Sequence, residues 1–220
     1  LFTGDAGSGE SEIRKWIIEN DWLECIVQLP DKMFFNTGIT TYIWIITNKK
    51  SSNRKGKIQL INGSSFGTSI KKNLGDKSKF ISDDKIETLK KIYLENKENE
   101  YCKIFDNTFF GYTKVTIELP LIENGDVKKN KKGIIKPDSS KRDYERVPLS
   151  ESVDKYYERE VKPHLKGSWV DRSKDKIGYE INFTKYFYKF KPLRSLEEIS
   201  QDLKLLNDEI KQLSLEMNNE

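Results

Sequence analysis

The chain has 220 residues, with 39 Lys or Arg set against 35 Asp or Glu, so the net charge is only +4 although 34% of the residues are charged. That length serves one sizeable domain, or a domain with an appendage. Apolar runs far short of the ~20 residues of a membrane helix, no charged-then-apolar leader after Leu1, and two distant cysteines, Cys25 and Cys102, lead us to expect no membrane span, no secretory signal and no disulfide framework. A soluble, cytoplasmic protein is expected.

The single histidine, His164, has no companion ligands, so no metal site is predicted. Only seven of the basic residues are Arg, a Lys bias that reads as an A·T-rich, bacterial coding genome. The charge balance permits nucleic-acid binding without demanding it.

Gly4 to Gly9 reads as a loop ending at a helix start, with Ser8 as cap and Glu10 and Glu12 where the helix dipole favours negative charge. Ile13, Trp16 and Ile17 then space as one apolar stripe of that helix. Strands are predicted from Leu23 to Leu29, stopped by Pro30, from Thr40 to Thr47, and from Lys57 to Asn62. The first two flank a loop of about ten residues and so should pair antiparallel, since a parallel pair needs a longer crossover. Ile86, Leu89, Ile92 and Tyr93 mark a helix over Asp83 to Asn96. Val115 to Leu119 reads as a short strand, and Asp126 to Lys141 as an exposed, Lys-rich loop. Ser150 should cap a helix carrying Val153, Tyr156, Tyr157 and Val161, while the aromatic-rich stretch from Trp169 to Phe190 has no clean period and is expected to be irregular.

The C-terminal segment is the most regular. Ser195 and Glu198 have the Ser-x-x-Glu spacing of a capping box. Leu196, Ile199, Leu203, Leu206, Ile210, Leu213 and Met217 follow at spacings of 3 and 4, a heptad seam that demands a partner helix.

Two loops invite functional readings. Gly4 to Gly9 lacks the Lys-Ser/Thr of a P-loop, and no strand of this chain precedes it, so an ordinary turn into a helix is favoured over a phosphate cradle. The loop after Pro30 carries Phe34-Phe35-Asn36-Thr37-Gly38-Ile39. An aromatic pair there needs a flat partner, either core or ligand.

The order of strand, Pro, aromatic pair, Asn-Thr-Gly and strand resembles the C-terminal half of the modification (methylase) subunit of type I restriction–modification systems, a DNA adenine methyltransferase family. The resemblance runs through Leu1 to Glu10, Ile13 to Glu19, Ile26 to Pro30 and Met33 to Ile39. It continues at Phe110-Gly111-Tyr112, Pro120-Leu121, Pro148-Leu149, Tyr157 to Val161, Gly178 to Phe183 and Tyr188-Lys189-Phe190, then the final helix.

The resemblance implies an α/β fold. Residues 1–65 would be the C-terminal part of a Rossmann-like methyltransferase sheet, 66–194 a mostly helical or irregular extension, and 195–220 a heptad helix for subunit assembly. It further implies methyl transfer from S-adenosylmethionine to the exocyclic amine of adenine in duplex DNA. Phe34 and Gly38 match the family's Phe-x-x-x-Gly-Ile spacing, which puts Phe34 near the extruded base with Phe35 as the runner-up, and Asn36 and Gly38 as further target-base residues. The physics agrees, because a base taken out of its stack regains ~1–3 kcal/mol on an aromatic face.

The family's Asn-Pro-Pro-Phe/Tyr motif and cofactor glycines have no counterpart here, where all six prolines are isolated. Both are expected upstream of Leu1 in an intact subunit, no catalytic residue is assigned to this chain, and these residues alone are expected to be inactive. The implied partners are DNA and the specificity and restriction subunits of the same system, the seam packing on the subunit that recognises the DNA sequence. Two rivals stand beside this reading. One is a non-catalytic α/β interaction module working through the heptad; the other is a single-chain methylase with an attached recognition domain.

Overall fold

The computed structural model describes residues 2–190 and 192–217, with side chains described as far as residue 214. It divides into two compact units, residues 1–187 and 188–220.

The first unit opens with α1 (Gly9–Glu19), capped by Ser8, whose side chain accepts from the Ser11 N–H at 3.3 Å. β1 (Leu23–Gln28) and β2 (Tyr42–Ile46) pair antiparallel across the Pro30 loop, with Ile26 opposite Trp44 and Val27 opposite Ile43. β3 (Lys57–Asn62) runs parallel to β1 on its other edge. There follow the hairpin of β4 (Thr68–Leu74) and β5 (Lys77–Phe80), then α2 (Asp83–Glu95), then β6 (Cys102–Asp106). β6 adds antiparallel to β3, so the first sheet has the order β2-β1-β3-β6.

β1 is buried on both faces. Leu23 and Ile26 pack with Ile17 and Ile18 of α1 and with Ile58 and Leu60 of β3, whereas Cys25 and Val27 pack with Ile61, Phe66 and Ile92 of α2. This two-sided burial explains why Cys25, Ile26 and Val27 form a continuous apolar run rather than alternating.

A second sheet is centred on β7 (Gly111–Glu118). From it projects a small hairpin, β8 (Ile122–Glu123) with β9 (Asp126–Val127). β10 (Asp143–Pro148) then pairs with β7, as do β11 (Trp169–Val170) and β12 (Lys176–Tyr179). Its apolar face, Val115, Ile117 and Val147, packs on Val153 of α3 (Val153–Tyr156) and on Val161 of the π-helical turn that continues it. α4 (Phe183–Phe187) ends the unit and returns Phe183 to the first core.

Residues 66–194 thus hold more strand than helix, which corrects the expected mostly helical extension. The Phe110-Gly111-Tyr112 stretch already starts the long β7, and the pairing of β12 with β7 gives order to residues 176–179, where no local period was visible. The Lys-rich stretch is a hairpin arm rather than a free loop: Lys128 N–H donates to Leu121 O at 2.9 Å and Asn130 N–H to Ile134 O at 2.8 Å. α3 begins after Ser152, not Ser150, without a side-chain cap bond. The expected stripe on α1 is also turned: Ile13 and Trp16 are exposed, and the buried face is Ser11, Arg14, Ile17 and Ile18.

Arg14 is fully buried and explains that turn. Its Nε donates to Tyr179 O at 2.6 Å, at the end of β12, and its two Nη atoms donate to Thr3 O at 2.5 Å and Gly4 O at 2.7 Å. One guanidinium thereby ties the glycine loop, α1 and the second sheet together.

The second unit contains α5 (Leu196–Met217). Its capping box forms as expected: Ser195 N–H donates to Glu198 Oε2 at 3.0 Å and Glu198 N–H to Ser195 Oγ at 3.1 Å.

Replacing Arg14 by Met keeps its length but orphans the carbonyls of Thr3, Gly4 and Tyr179. Urea unfolding should report a loss of roughly 2–4 kcal/mol; a loss below about 1 kcal/mol would mean that water reaches those oxygens.

Candidate functional site

The loop between β1 and β2 starts at Pro30, which cannot extend the ladder. It then turns tightly, with a bridge between Phe34 and Thr37. The hairpin β4–β5 clasps it from outside. Ser78 and Lys79 donate their N–H groups to Lys32 O at 3.0 and 3.2 Å, and Asp76 donates to Phe35 O at 3.1 Å. Lys79 Nζ meets Asp31 Oδ1 at 2.5 Å, and this hydrogen bond holds the Asp31 carboxyl below its usual range. No expectation covered this hairpin, although Gly75-Asp76 between Thr68–Leu74 and Lys77–Phe80 is a recognisable turn signal.

With its backbone so held, the loop turns its aromatic pair outward. Phe34 is 45% exposed and Phe35 58%. Lys77 Nζ lies 5.1 Å from the Phe35 ring centroid, a cation–π contact on one face. The Asn36 side chain is exposed. Gly38 is exposed too and does not have a left-handed φ; a Cβ there would meet only Lys32 Cγ, at 3.9 Å. Nothing within this chain therefore requires a glycine at position 38.

Beneath the loop lies an apolar groove of about 560 Å³, walled by Val27, Leu29, Ile43, Ile45, Ile86 and Leu89 among others. The loop contributes Met33 to that wall, while Phe34 and Phe35 stand outside it. The structure therefore brings Phe34, Phe35, Asn36 and Gly38 onto one pinned, open loop, with Lys77 beside the Phe35 ring. Burial pushes the thiols of Cys25 and Cys102 up, so neither is a nucleophile at neutral pH.

The profile of the N-6 DNA methylase family matches residues 1–132, which include α1, the first sheet and the Phe34 loop. The chain belongs to the N-6 DNA methylase family. Similar proteins include the type I restriction enzyme MjaVIII methylase subunit of Methanocaldococcus jannaschii, 38% identical over 101 residues, a match covering 46% of this chain and 17% of that protein. The MjaIX methylase subunit of the same organism is 46% identical over 57 residues, covering 26% and 10%. The HindI methylase subunit of Haemophilus influenzae is 39% identical over 77 residues, covering 35% and 16%. Among solved structures, a type I restriction-modification system methyltransferase subunit from Streptococcus thermophilus matches with a TM-score of 0.41 and 26% identity, over 49% of this chain and 21% of that one. The matched stretches thus span less than a fifth of the length of these curated relatives.

The glycine loop of this N-6 DNA methylase chain offers no cradle for a cofactor such as S-adenosylmethionine. The Thr3 and Gly4 carbonyls are taken by Arg14, and a Cβ at Gly4 would meet Ser8 Oγ at 2.3 Å, so the concavity is filled by the chain's own atoms. The loop is a fold anchor, held by Arg14.

Gly75 has φ +61, and a Cβ there would meet Phe35 O at 2.8 Å. Gly75→Ala should cost about 1–2 kcal/mol and speed hydrogen exchange of the Asp76, Ser78 and Lys79 amides selectively. Unchanged exchange at those three would show that the hairpin does not hold the loop.

Proposed function

We propose that the chain works as part of a type I restriction–modification methylase that transfers a methyl group from S-adenosylmethionine to the exocyclic amine of adenine in duplex DNA. The cofactor site and the Asn-Pro-Pro motif belong, on this reading, to residues outside this sequence. These residues alone are inactive, and the working enzyme is cytoplasmic. What they supply is one wall of the target-base site, with Phe34 as the stacking face and Phe35, Asn36 and Gly38 around it. The first sheet is the C-terminal part of a Rossmann-like sheet.

The observation that carries this reading is the half-exposed Phe34 ring on a loop with a pinned backbone, in a chain of the N-6 DNA methylase family. An aromatic face left open at a rigid strand end is what an extruded base needs, since the ring replaces lost stacking without a new ordering cost. The absence of any internal need for glycine at position 38 fits an outside group passing close to the backbone there.

A second role rests on α5. The seam residues Leu203, Leu206, Ile210 and Leu213 are each more than half exposed; Leu196 is still more open and Ile199 less so, while the side chain of Met217 lies outside the described residues. Such a seam suits packing against helices of the specificity subunit, with the restriction subunit joining the same assembly. This role would serve a non-catalytic interaction module equally well, so the two roles need separate tests.

In the full-length subunit with its partners, Phe34→Ala should lower methylation kcat/KM roughly 5- to 150-fold, the equivalent of about 1–3 kcal/mol of stacking, while S-adenosylmethionine affinity stays within twofold. Equal loss of both, or of neither, would remove Phe34 from the base site. Replacing Leu203 and Ile210 together by Asp should abolish co-purification with the specificity subunit while the circular-dichroism melt of the body is retained. Intact co-purification would reduce the seam to local packing.

A further inference from the structure

The second sheet has two unlike faces. Val115 and Ile117 of β7 point into the core with Val147 of β10, so by the two-residue alternation of a strand Tyr112, Lys114, Thr116 and Glu118 point the other way. The register sets Arg146 of β10 and Lys176 of β12 directly across from Lys114 on either side. Three cations therefore form one cross-strand row, an arrangement that is unfavourable unless anions offset it.

Asp5, in the glycine loop, offsets part of the row. Its Oδ2 lies 2.5 Å from Lys114 Nζ and its Oδ1 3.3 Å from Arg146 Nη2. Arg146 also meets Glu180 at 2.7 Å. Burial opposes the Asp5 carboxylate, but the hydrogen bonds from Lys114, Tyr112 and the Ala6 N–H, with the Arg146 charge, hold its carboxyl well below the usual range. Lys176 is left over. Among the described residues its ammonium group has neither a hydrogen bond nor an ion pair. Its stem lies so close over Gly7 that a Cβ at that glycine would meet Lys176 Cδ at 3.1 Å and Nζ at 3.2 Å.

Next to this row is a cavity of about 430 Å³ walled by Lys114, Thr116, Tyr144, Ser173, Lys174 and Lys176, with Ala6 at its edge. Three lysines and three hydroxyl-bearing residues line it, and no Asp or Glu does; of these, the Ser173 hydroxyl donates to Asp171 Oδ1 at 2.5 Å and Lys114 Nζ lies 4.4 Å from the Tyr144 ring centroid. Lys174 is anchored from behind by Glu118 at 2.6 Å and Asp171 at 2.8 Å, and Lys114 by Asp5, so two of the three ammonium groups are fixed in place by anions outside the cavity. The third, Lys176, has its charge uncompensated. A fixed cationic wall with hydroxyl groups and one free ammonium suits a tetrahedral oxyanion.

We infer that this cavity between the second sheet and the glycine loop binds a phosphate group, with Lys176 as its principal charge. The phosphate is either a phosphodiester of the DNA backbone or that of a free nucleotide or inorganic phosphate. The backbone source rests on the DNA reading given above; the phosphate chemistry does not. The site is separate from the Phe34 loop, so the two stand or fall independently.

Two titrations of the chain decide the matter, with Lys176→Gln as the variant and Lys91→Gln, on the exposed side of α2, as the control. Lys176 has no partner to lose, so its replacement should leave the fold intact. Inorganic phosphate, followed by amide chemical shifts, should move Gly7, Lys114 and Ser173 saturably in the parent and the control but not in Lys176→Gln. A 20-base-pair duplex, followed by anisotropy over a range of KCl, should bind Lys176→Gln about tenfold more weakly at 0.1 M salt, with the slope of log K against log salt smaller by about one. Loss of the phosphate shifts with an unchanged duplex slope assigns the site to free phosphate or nucleotide. Absence of saturable phosphate shifts in the parent, or identical behaviour of Lys176→Gln and parent in both titrations, overturns the site. Neither titration reads methylation, so a failed Phe34→Ala assay leaves this inference standing.

Discussion

The buried guanidinium of Arg14 is the interaction on which the first unit depends. A guanidinium has donors only, fixed in a planar fork, so inside a protein it must be met by acceptor oxygens. Three such oxygens, from Thr3, Gly4 and Tyr179, converge on it. Two belong to the segment before α1 and the third to a strand more than 160 residues away in sequence. Ser11, on the same helix face, accepts the Tyr179 N–H at 3.3 Å, so both backbone groups of Tyr179 are bound by α1. The second sheet therefore cannot shift against the first without uncovering polar groups. Lys176 is on the strand so held, and Gly7 in the loop so held, which is why the cationic cavity between them has a defined shape.

The Phe34 loop is built on the opposite plan. Its backbone is satisfied from outside by the β4–β5 hairpin, and its side chains are left unsatisfied by the protein. Leaving two phenyl rings half open forfeits burial worth about 1 kcal/mol or more for each. Ordering the loop spends backbone entropy as well. A loop that gives up burial yet stays rigid is organised for a partner rather than for the stability of its own fold.

Much of the first sheet was legible because its signals are local. Leu23–Gln28, Tyr42–Ile46 and Lys57–Asn62 are short runs rich in β-branched residues, bounded by Pro, Asn or Gly, and the short Pro30 connection fixed the antiparallel pairing. The capping box before α5 was legible for the same reason. The second sheet was not, because β7 takes its partners from residues 143–148 and 169–179, and no local period announces a pairing across such distances. Period also misleads on α1: it favours Ile13 and Trp16 for the core, whereas Arg14 goes inside because its partners come from elsewhere in the chain. Trp16 instead meets Trp22 edge-on, with ring centroids 4.7 Å apart, in a partly open pair. At the Phe34 loop the residues were readable from their order, but their exposure was not, because it depends on a hairpin some forty residues further on.

Several apolar features remain open among the described residues: the Phe34 and Phe35 rings, the groove under Met33, Ile13 with Trp16 on α1, and the seam of α5. What is left over in each is exposed side-chain surface. Single exposed apolar residues need no explanation, but contiguous ones mark interaction surfaces. The cationic face of the second sheet differs in kind, because charge attracts at a distance whereas apolar area acts only on contact. On a molecule carrying both, the charged face governs approach and salt dependence, and the apolar faces govern what stays bound. That separation lets a net charge of only +4 coexist with local recognition of an anion, since a patch, and not the total, sets the field that a phosphate meets.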